Sequence, residues 1–285
     1  MPELPEVETI RRQLAPFVEG RTLAKLDVLD VRWCEPLAPP ELADAVEGRV
    51  VQRLSRRGKY LVWELADEVH LLMHLRMTGT LLWEPGERLA YARVWIELAE
   101  RGGAQRRLAF VDPRRFGTGE LALGSAGLEA FFAARLGVEP FAPDFTAARL
   151  RELARGRRAP VKAFLLDQRH IAGVGNIYAD EALFRAGIHP LRPAGRLTGR
   201  QHALLRDAVV ESLEAGIDAR GASIDDFRDL DGARGSFQDR FLVHRRAGEP
   251  CSRCGSTIVK MVVGGRGTYV CERCQPRPRK RRTVA

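Results

Sequence analysis

A chain of 285 residues with 45% hydrophobic and 29% charged residues has room for two packed domains, and its composition excludes a disordered or collagen-like protein. It carries 46 Lys and Arg against 37 Asp and Glu, a formal charge of +9 that points to a polyanionic partner. No charged-then-apolar leader and no apolar run of membrane-spanning length is present, so a cytoplasmic protein with no membrane partner is expected.

The chain opens Met1-Pro2-Glu3-Leu4-Pro5-Glu6-Val7-Glu8-Thr9. A small second residue is the usual signal for removing Met1, which leaves Pro2 with a free secondary amine. An α-amino group titrates near pH ~8 and a lysine amine near ~10.4, so only the former is substantially unprotonated at neutrality. Such an amine can attack an aldehyde-level carbon and form an iminium directly. Glu3 beside it can act as acid or base. The same residues also suit a helix start. Pro5 fits the first turn, Glu6 and Glu8 are favoured there by the helix dipole, and Val7, Ile10, Leu14 and Phe17 give an apolar face.

After this helix the period changes to that of short strands. They are expected at Val28–Val31, Val50–Leu54, Tyr60–Leu65, Val69–Leu75, Thr80–Trp83, Val94–Leu98, Leu108–Val111 and Gly119–Leu123, with a short helix at Glu41–Val46. Closely spaced short strands argue for a β-sandwich or barrel with the first helix packed on it. This domain is expected to span 1–135, with a linker over 136–145.

Beyond the linker the pattern is helical. Helices are expected from Thr146 as cap through Arg155, from Ala159 to Gln168, and from Ile177 to Ala186. A further helix opens on the capping box Thr198-Gly199-Arg200-Gln201, with Leu205, Ala208, Val209, Ser212 and Leu213 inward. Gly173-Val174-Gly175-Asn176 reads as a tight turn. Residues 216–240 are Gly- and Asp-rich without periodicity, and so are either functional or mobile. The helical domain is expected over 146–240.

Cys251-Ser252-Arg253-Cys254 and Cys271-Glu272-Arg273-Cys274, sixteen residues apart, have the spacing of a four-thiolate zinc site. One structural Zn2+ per chain is expected, closed to catalysis by its four protein ligands. Strands at Ile258–Val263 and Thr268–Val270 flank Gly264-Gly265-Arg266-Gly267, a hairpin with Arg266 at its tip. The finger is expected over 241–275. The lone Cys34 reads as a small buried hydrophobe. Residues 276–285 form a basic tail that either adds phosphate attraction or is merely solvated.

Six segments carry a resemblance: Pro2–Thr9, Arg57-Gly58-Lys59-Tyr60-Leu61, His74-Leu75-Arg76-Met77-Thr78-Gly79, Asp112-Pro113-Arg114-Arg115-Phe116-Gly117, Gly173–Ala179 and the four-Cys finger. Together they are similar to the formamidopyrimidine-DNA glycosylase family, from Pro2 to Cys274. The related endonuclease VIII branch is similar in fold and nucleophile, but Leu4–Thr9 and the Met77/Arg114/Phe116 set resemble the formamidopyrimidine branch. The resemblance implies an α+β multidomain protein. It would comprise an N-terminal β-sandwich with flanking helices, a helix–two-turn–helix domain and a β-hairpin zinc finger.

The implied activity is a bifunctional glycosylase and AP lyase that acts on damaged double-stranded DNA, expected as a monomer. Pro2 would displace the oxidised purine, Glu3 would move protons at the sugar, and Lys59 and Arg266 would serve β- and δ-elimination. Glu6 would hold the damaged nucleotide. Met77, Arg114 and Phe116 would fill the gap left by the extruded base. His74, Tyr91, Arg157 and Asn176 would contact DNA, with Lys162 near the same basic positions, and 217–238 would cover the extruded base. Two departures stand out. Arg76 replaces a common family Gly, either altering strand geometry or adding a phosphate contact, and Tyr91 replaces a DNA-contacting His. A noncatalytic zinc-finger protein that binds damaged DNA remains the alternative, as does an endonuclease VIII-like enzyme for oxidised pyrimidines.

Overall fold

The computed structural model describes residues 2–86, 89–99, 105–224 and 227–278. Met1, Asp225, Asp226 and the tail from 279 onward, on which the expectations above partly fall, lie outside the described residues. The chain divides into two compact units, Met1–Arg135 with Gly216–Gln238, and Leu136–Ala215 with Asp239–Ala285.

Among the described residues the first unit holds eight strands, β1 (Thr22–Val28), β2 (Val51–Arg57), β3 (Tyr60–Leu65), β4 (Val69–His74), β5 (Thr80–Trp83), β6 (Ala92–Ala99), β7 (Gln105–Val111) and β8 (Thr118–Leu123). They form two antiparallel four-stranded sheets, ordered β1-β6-β7-β5 and β2-β3-β4-β8. Leu23, Ile96 and Phe110 from one sheet and Leu54, Trp63 and Met73 from the other share one core. Burial of these apolar faces against each other makes the pair a sandwich. Helix α1 (Leu4–Val18) adds Val7, Ile10, Leu14 and Val18 to the same core. Phe17, expected inward, is 41% exposed and stacks on Trp83 at 5.2 Å, while Val18 takes the inner position. Helices α2 (Pro39–Val46) and α3 (Gly124–Ala133) complete the unit.

The strand expected at Val28–Val31 lies earlier, at Thr22–Val28. A bulge between Leu23 and Lys25 breaks the two-residue period, so Leu23 and Leu26, three apart, both face the core. Residues 31–33 instead form a single 3-10 turn. Helix α3 was not anticipated; its Gly-containing sequence conceals a face on which Phe131 and Phe132 edge against Tyr60.

In the second unit, α4 (Ala147–Ala154) starts where Thr146 Oγ1 accepts from the Arg149 N–H at 3.1 Å. Helix α5 (Val161–Leu166) is shorter than expected, because Gln168 leaves the helix to hold the next turn. Its Oε1 accepts from Gly173 N–H at 2.9 Å and its Nε2 donates to Val174 O at 2.8 Å. That turn delivers the chain into α6 (Asn176–Arg185). Helix α7 (Gly199–Asp218) opens on the expected capping box, in which Thr198 Oγ1 accepts from Gln201 N–H and Gln201 Oε1 accepts from Thr198 N–H. Leu205, Ala208, Val209, Ser212 and Leu213 are all buried. Strands β9 (Val259–Val263) and β10 (Arg266–Val270) form the hairpin.

Candidate nucleic-acid interface and metal centre

Pro2 and Glu3 are buried just ahead of α1. Glu3 is the N-cap, its C=O accepting from Val7 N–H at 3.1 Å. Glu6 is only 1% exposed, and its carboxylate joins two chain segments. Oε2 accepts from Glu3 N–H at 2.7 Å, and Oε1 accepts from Ala222 N–H at 2.7 Å. Gly221 lies at φ +80°, where a Cβ would fall 2.8 Å from Glu6 Cγ. Only glycine suits both that dihedral and that approach. The segment expected to be functional or mobile is therefore anchored against α1. Its Phe227 and Leu230 enter the sandwich core, and Gln13 receives Leu230 N–H at 3.1 Å while donating to Asp229 Oδ2 at 3.0 Å.

Lys59 is buried in the two-residue turn between β2 and β3, where Gly58 takes φ +57°. Arg56 ties this turn to α1: its Nη1 donates to Gly58 O at 2.8 Å and its Nε to Glu8 Oε2 at 3.3 Å. Burial raises the Glu8 pKa, but Arg11, Arg12 and Arg56 outweigh it and bring the carboxyl down to about 2. His74 pairs with Tyr60 across β4 and β3. Burial, reinforced by the charges of Arg76 and Lys59, holds its pKa down to about 3. His74 is therefore neutral at pH 7. Its Nδ1 accepts from Arg76 N–H at 2.9 Å, which leaves the proton on Nε2 as a neutral donor.

The gap-filling candidates are held by Asp112, the first residue of the 112–117 motif. Asp112 is fully buried. Its Oδ1 accepts from the Thr78 hydroxyl and from Arg114 N–H (3.1 Å), and its Oδ2 from Phe116 N–H (2.8 Å) and Gly117 N–H (2.7 Å). One carboxylate thus ties the turn carrying Met77 to the loop carrying Arg114 and Phe116. Phe116 is 49% exposed, with the Arg114 guanidinium 4.9 Å from its ring centroid. Tyr91 is also exposed, and its carbonyl accepts from Asp112 N–H at 3.0 Å, which places it beside the same loop.

Arg76 has φ +52°, the left-handed region where glycine is at ease. Strand β4 keeps its pairing up to His74, so Arg76 adopts the glycine-type conformation and leaves the strand undistorted. Holding a non-glycine residue there costs on the order of 1 kcal/mol, close to the roughly 0.5–1 kcal/mol of unfolded-chain entropy that glycine adds. Arg76→Gly is therefore expected to leave urea stability nearly unchanged. If Arg76 meets a phosphate, the slope of log affinity for duplex DNA against log salt falls by about one. An unchanged slope would show that the exposed guanidinium has no phosphate partner.

In the second unit, Asn176 opens α6 and donates one Nδ2 proton to Gly267 O at 3.0 Å; its second amide proton can serve a phosphate. Arg266 is exposed, but the hairpin tip is Gly264-Gly265 alone, at φ +57° and +73°. This two-residue turn places Arg266 as the first residue of β10, paired with Val263. Arg157 is exposed in the link between α4 and α5. It lines a groove of about 370 Å³ with Arg158 and Arg196. Lys162, by contrast, has no surface at all.

The Sγ atoms of Cys251, Cys254, Cys271 and Cys274 all lie within 4.8 Å of one another, with Cys251–Cys274 at 3.9 Å and Cys254–Cys271 at 3.5 Å. A tetrahedral zinc with Zn–S bonds near 2.3 Å needs sulfurs roughly 3.8 Å apart. The four thiolates therefore fit one zinc ion. Buried Phe184, Val243 and Ile258 back the site.

Three family models match in order along the chain. They are the formamidopyrimidine-DNA glycosylase N-terminal domain over 1–119, the formamidopyrimidine-DNA glycosylase H2TH domain over 136–228, and the zinc finger found in FPG and IleRS over 248–277. Formamidopyrimidine-DNA glycosylase of Chloroflexus aurantiacus is 47% identical over 96% of this chain and 98% of its own. That of Bacillus licheniformis is 42% identical over 96% and 99%. Among solved structures, a Lactococcus lactis FPG variant in complex with Fapy-dG-containing DNA superposes with a TM-score of 0.89 at 36% identity, covering 97% of this chain and 100% of that one. MutM (FPG) of Thermus thermophilus gives a TM-score of 0.86 at 40% identity, covering 98% and 100%. The sandwich, the helix–two-turn–helix and the four-thiolate hairpin define a multidomain zinc-finger protein of the kind seen in DNA complexes. The chain belongs to the formamidopyrimidine-DNA glycosylase family.

Proposed function

We propose that this chain is a bifunctional DNA glycosylase and AP lyase of base-excision repair. It removes oxidised purines, 8-oxoguanine and formamidopyrimidines, from double-stranded DNA and acts as a cytoplasmic monomer. The supporting observation is the placement of Pro2 and Glu3 ahead of α1, fixed by Glu6, in a chain aligned with glycosylases along 96% of its length.

With Met1 removed, the Pro2 nitrogen attacks C1′ of the damaged nucleotide. The C1′–N bond to the base breaks, the base leaves with a proton, and an iminium remains. Glu3 moves protons as the sugar ring opens. Loss of the C2′ proton breaks the C3′–O bond, and Lys59 serves this β-elimination. Loss of the C4′ proton then breaks the C5′–O bond, with Arg266 stabilising the departing phosphate. Met77, Arg114 and Phe116 enter the stack as the base leaves it. His74, Tyr91, Arg157 and Asn176 contact the DNA. Glu6 acts on the lesion through the segment it anchors at Ala222. The zinc ion holds the hairpin fold and takes no part in the chemistry.

The decisive experiment is borohydride trapping on a duplex containing 8-oxoguanine. A covalent protein–DNA adduct is expected from the Met-processed chain. Pro2→Gly should form none, yet should bind an abasic-site analogue nearly as well as the parent. Absence of an adduct from processed protein would favour the noncatalytic damage binder. Trapping only on oxidised pyrimidines would favour the endonuclease VIII-like activity.

A further inference from the structure

The second unit contains a charged cluster, buried beyond the reach of DNA, that no step above uses. Lys162 of α5 and Asp180 of α6 are each 0% exposed and form an ion pair at 2.7 Å. The second Asp180 oxygen, Oδ2, lies 2.8 Å from His244 Nδ1, and this imidazole is also buried. A buried lysine and aspartate have large desolvation costs, so such a pair persists only when further hydrogen bonds complete its surroundings. Those bonds lead to one place. Lys162 Nζ donates to Gly267 O at 3.0 Å and to Thr268 Oγ1 at 2.8 Å. The His244 ring meets the Tyr269 ring edge-on, with centroids 5.0 Å apart.

Gly267, Thr268 and Tyr269 are the three residues that follow Arg266 on β10. Asn176 Nδ2 reaches the same Gly267 carbonyl. Thr268 Oγ1, which receives the lysine proton, in turn donates to Arg266 O at 3.0 Å. The lysine ammonium is thus linked to the Arg266 backbone through a single hydroxyl. On the other side of Arg266 lies the Gly264-Gly265 turn, whose residues carry no side chains to fix it. The pairing with Val263 fixes the Arg266 backbone to β9, and the contacts of Gly267, Thr268 and Tyr269 fix β10 to α5 and α6.

We propose that Lys162, charge-paired with Asp180 and braced through His244, is a positioning residue for Arg266. It holds β10 so that an otherwise exposed arginine meets the DNA phosphate in one fixed place. The inference rests on the assignment of δ-elimination to Arg266. Lys162 touches no DNA and is not itself a catalytic residue. A floppy arginine would still bind phosphate, but would no longer be aligned with the departing one, so δ-elimination should suffer before base release does.

The test compares Lys162→Met, the charge-neutral pair Lys162→Met/Asp180→Leu, and Arg266→Gln on a labelled abasic-site duplex, with zinc content confirmed at one per chain. The double variant removes both charges, so it guards against misfolding from an unpaired buried carboxylate. The expected result for the Lys162 variants is a ratio of δ- to β-product about tenfold below the parent, a borohydride-trapped yield within twofold of it, and faster amide exchange at Gly267–Tyr269. A parental product ratio in the double variant, with the ratio lost in Arg266→Gln, would overturn the proposal. If Arg266→Gln itself keeps the parental ratio, the role of Arg266 in δ-elimination fails. The brace is then judged by exchange alone: lost protection at Gly267–Tyr269 upholds it, and retained protection overturns it.

Discussion

Asp112→Ala is expected to destabilise the protein by about 3 kcal/mol and to slow base release on the order of a hundredfold. Four groups lose their acceptor: the Thr78 hydroxyl and the N–H groups of Arg114, Phe116 and Gly117. A hydrogen bond to a charged acceptor contributes roughly 1.5–3 kcal/mol, so a simple sum would exceed the stated figure. The sum overshoots because Arg114 and Phe116 are exposed and water can reach their amides, whereas Gly117 and Thr78 are buried and cannot be rehydrated. Nor can Gly117 move aside, since a Cβ there would already lie 2.3 Å from the Phe110 ring. The kinetic effect follows from displacement, because the carboxylate is the shared anchor of the Met77 turn and the Phe116 loop. A misplacement of about 1 Å away from the chemistry costs on the order of a hundredfold. Asp112→Asn is expected to be milder. It keeps one oxygen but sets an amide N–H against the N–H groups of Phe116 and Gly117. Urea unfolding and single-turnover excision would measure both variants. A parental unfolding midpoint and rate in Asp112→Ala would remove Asp112 from this role.

How far such residues can be read from sequence depends on how local their partners are. The zinc site was legible because its ligands sit in two Cys-x-x-Cys pairs and the chemistry of thiolates does the rest. The opening of α7 was legible because a capping box is complete within four residues. Strands β3 and β5 fell where period and turn signals put them. Strand β1 did not, because its bulge hides the alternation that identifies a strand. The hairpin was legible but its tip was not, because two positive-φ glycines close it in fewer residues than the sequence suggested. Asp112 has three partners within five residues, but its link to the Met77 turn, like the role of Lys162, is not local. Thr78 lies 34 residues from Asp112, and Gly267 lies 105 residues from Lys162. A lysine in a helical pattern suggests solvent; only tertiary structure supplies an Asp180 to neutralise it.

The same reasoning sharpens the role of Glu6, whose expected place was at the damaged nucleotide. Its carboxylate bonds one amide at the start of α1 and another 216 residues away, so it couples the residue beside Pro2 to the segment proposed to cover the base. Glu6→Gln is isosteric but can accept only one of these protons, and turns an amide N–H toward the other donor. With the site buried, leaving one N–H unsatisfied costs about 1–3 kcal/mol. Gly221→Ala strikes the same contact from the other side, because its Cβ would lie 2.9 Å from Glu6 Oε1 and its backbone would be strained at φ +80°. Each single change should therefore slow adduct formation at an 8-oxoguanine duplex while sparing affinity for an abasic-site duplex, where no base needs covering. Because both break one clasp, the double variant should be little worse than either single one, with a coupling energy of about 1 kcal/mol or more in a double-mutant cycle. Effects that add to within about 0.5 kcal/mol would mean that the two residues act independently, and Glu6 would then lose its role as the link between the proposed nucleophile and the loop.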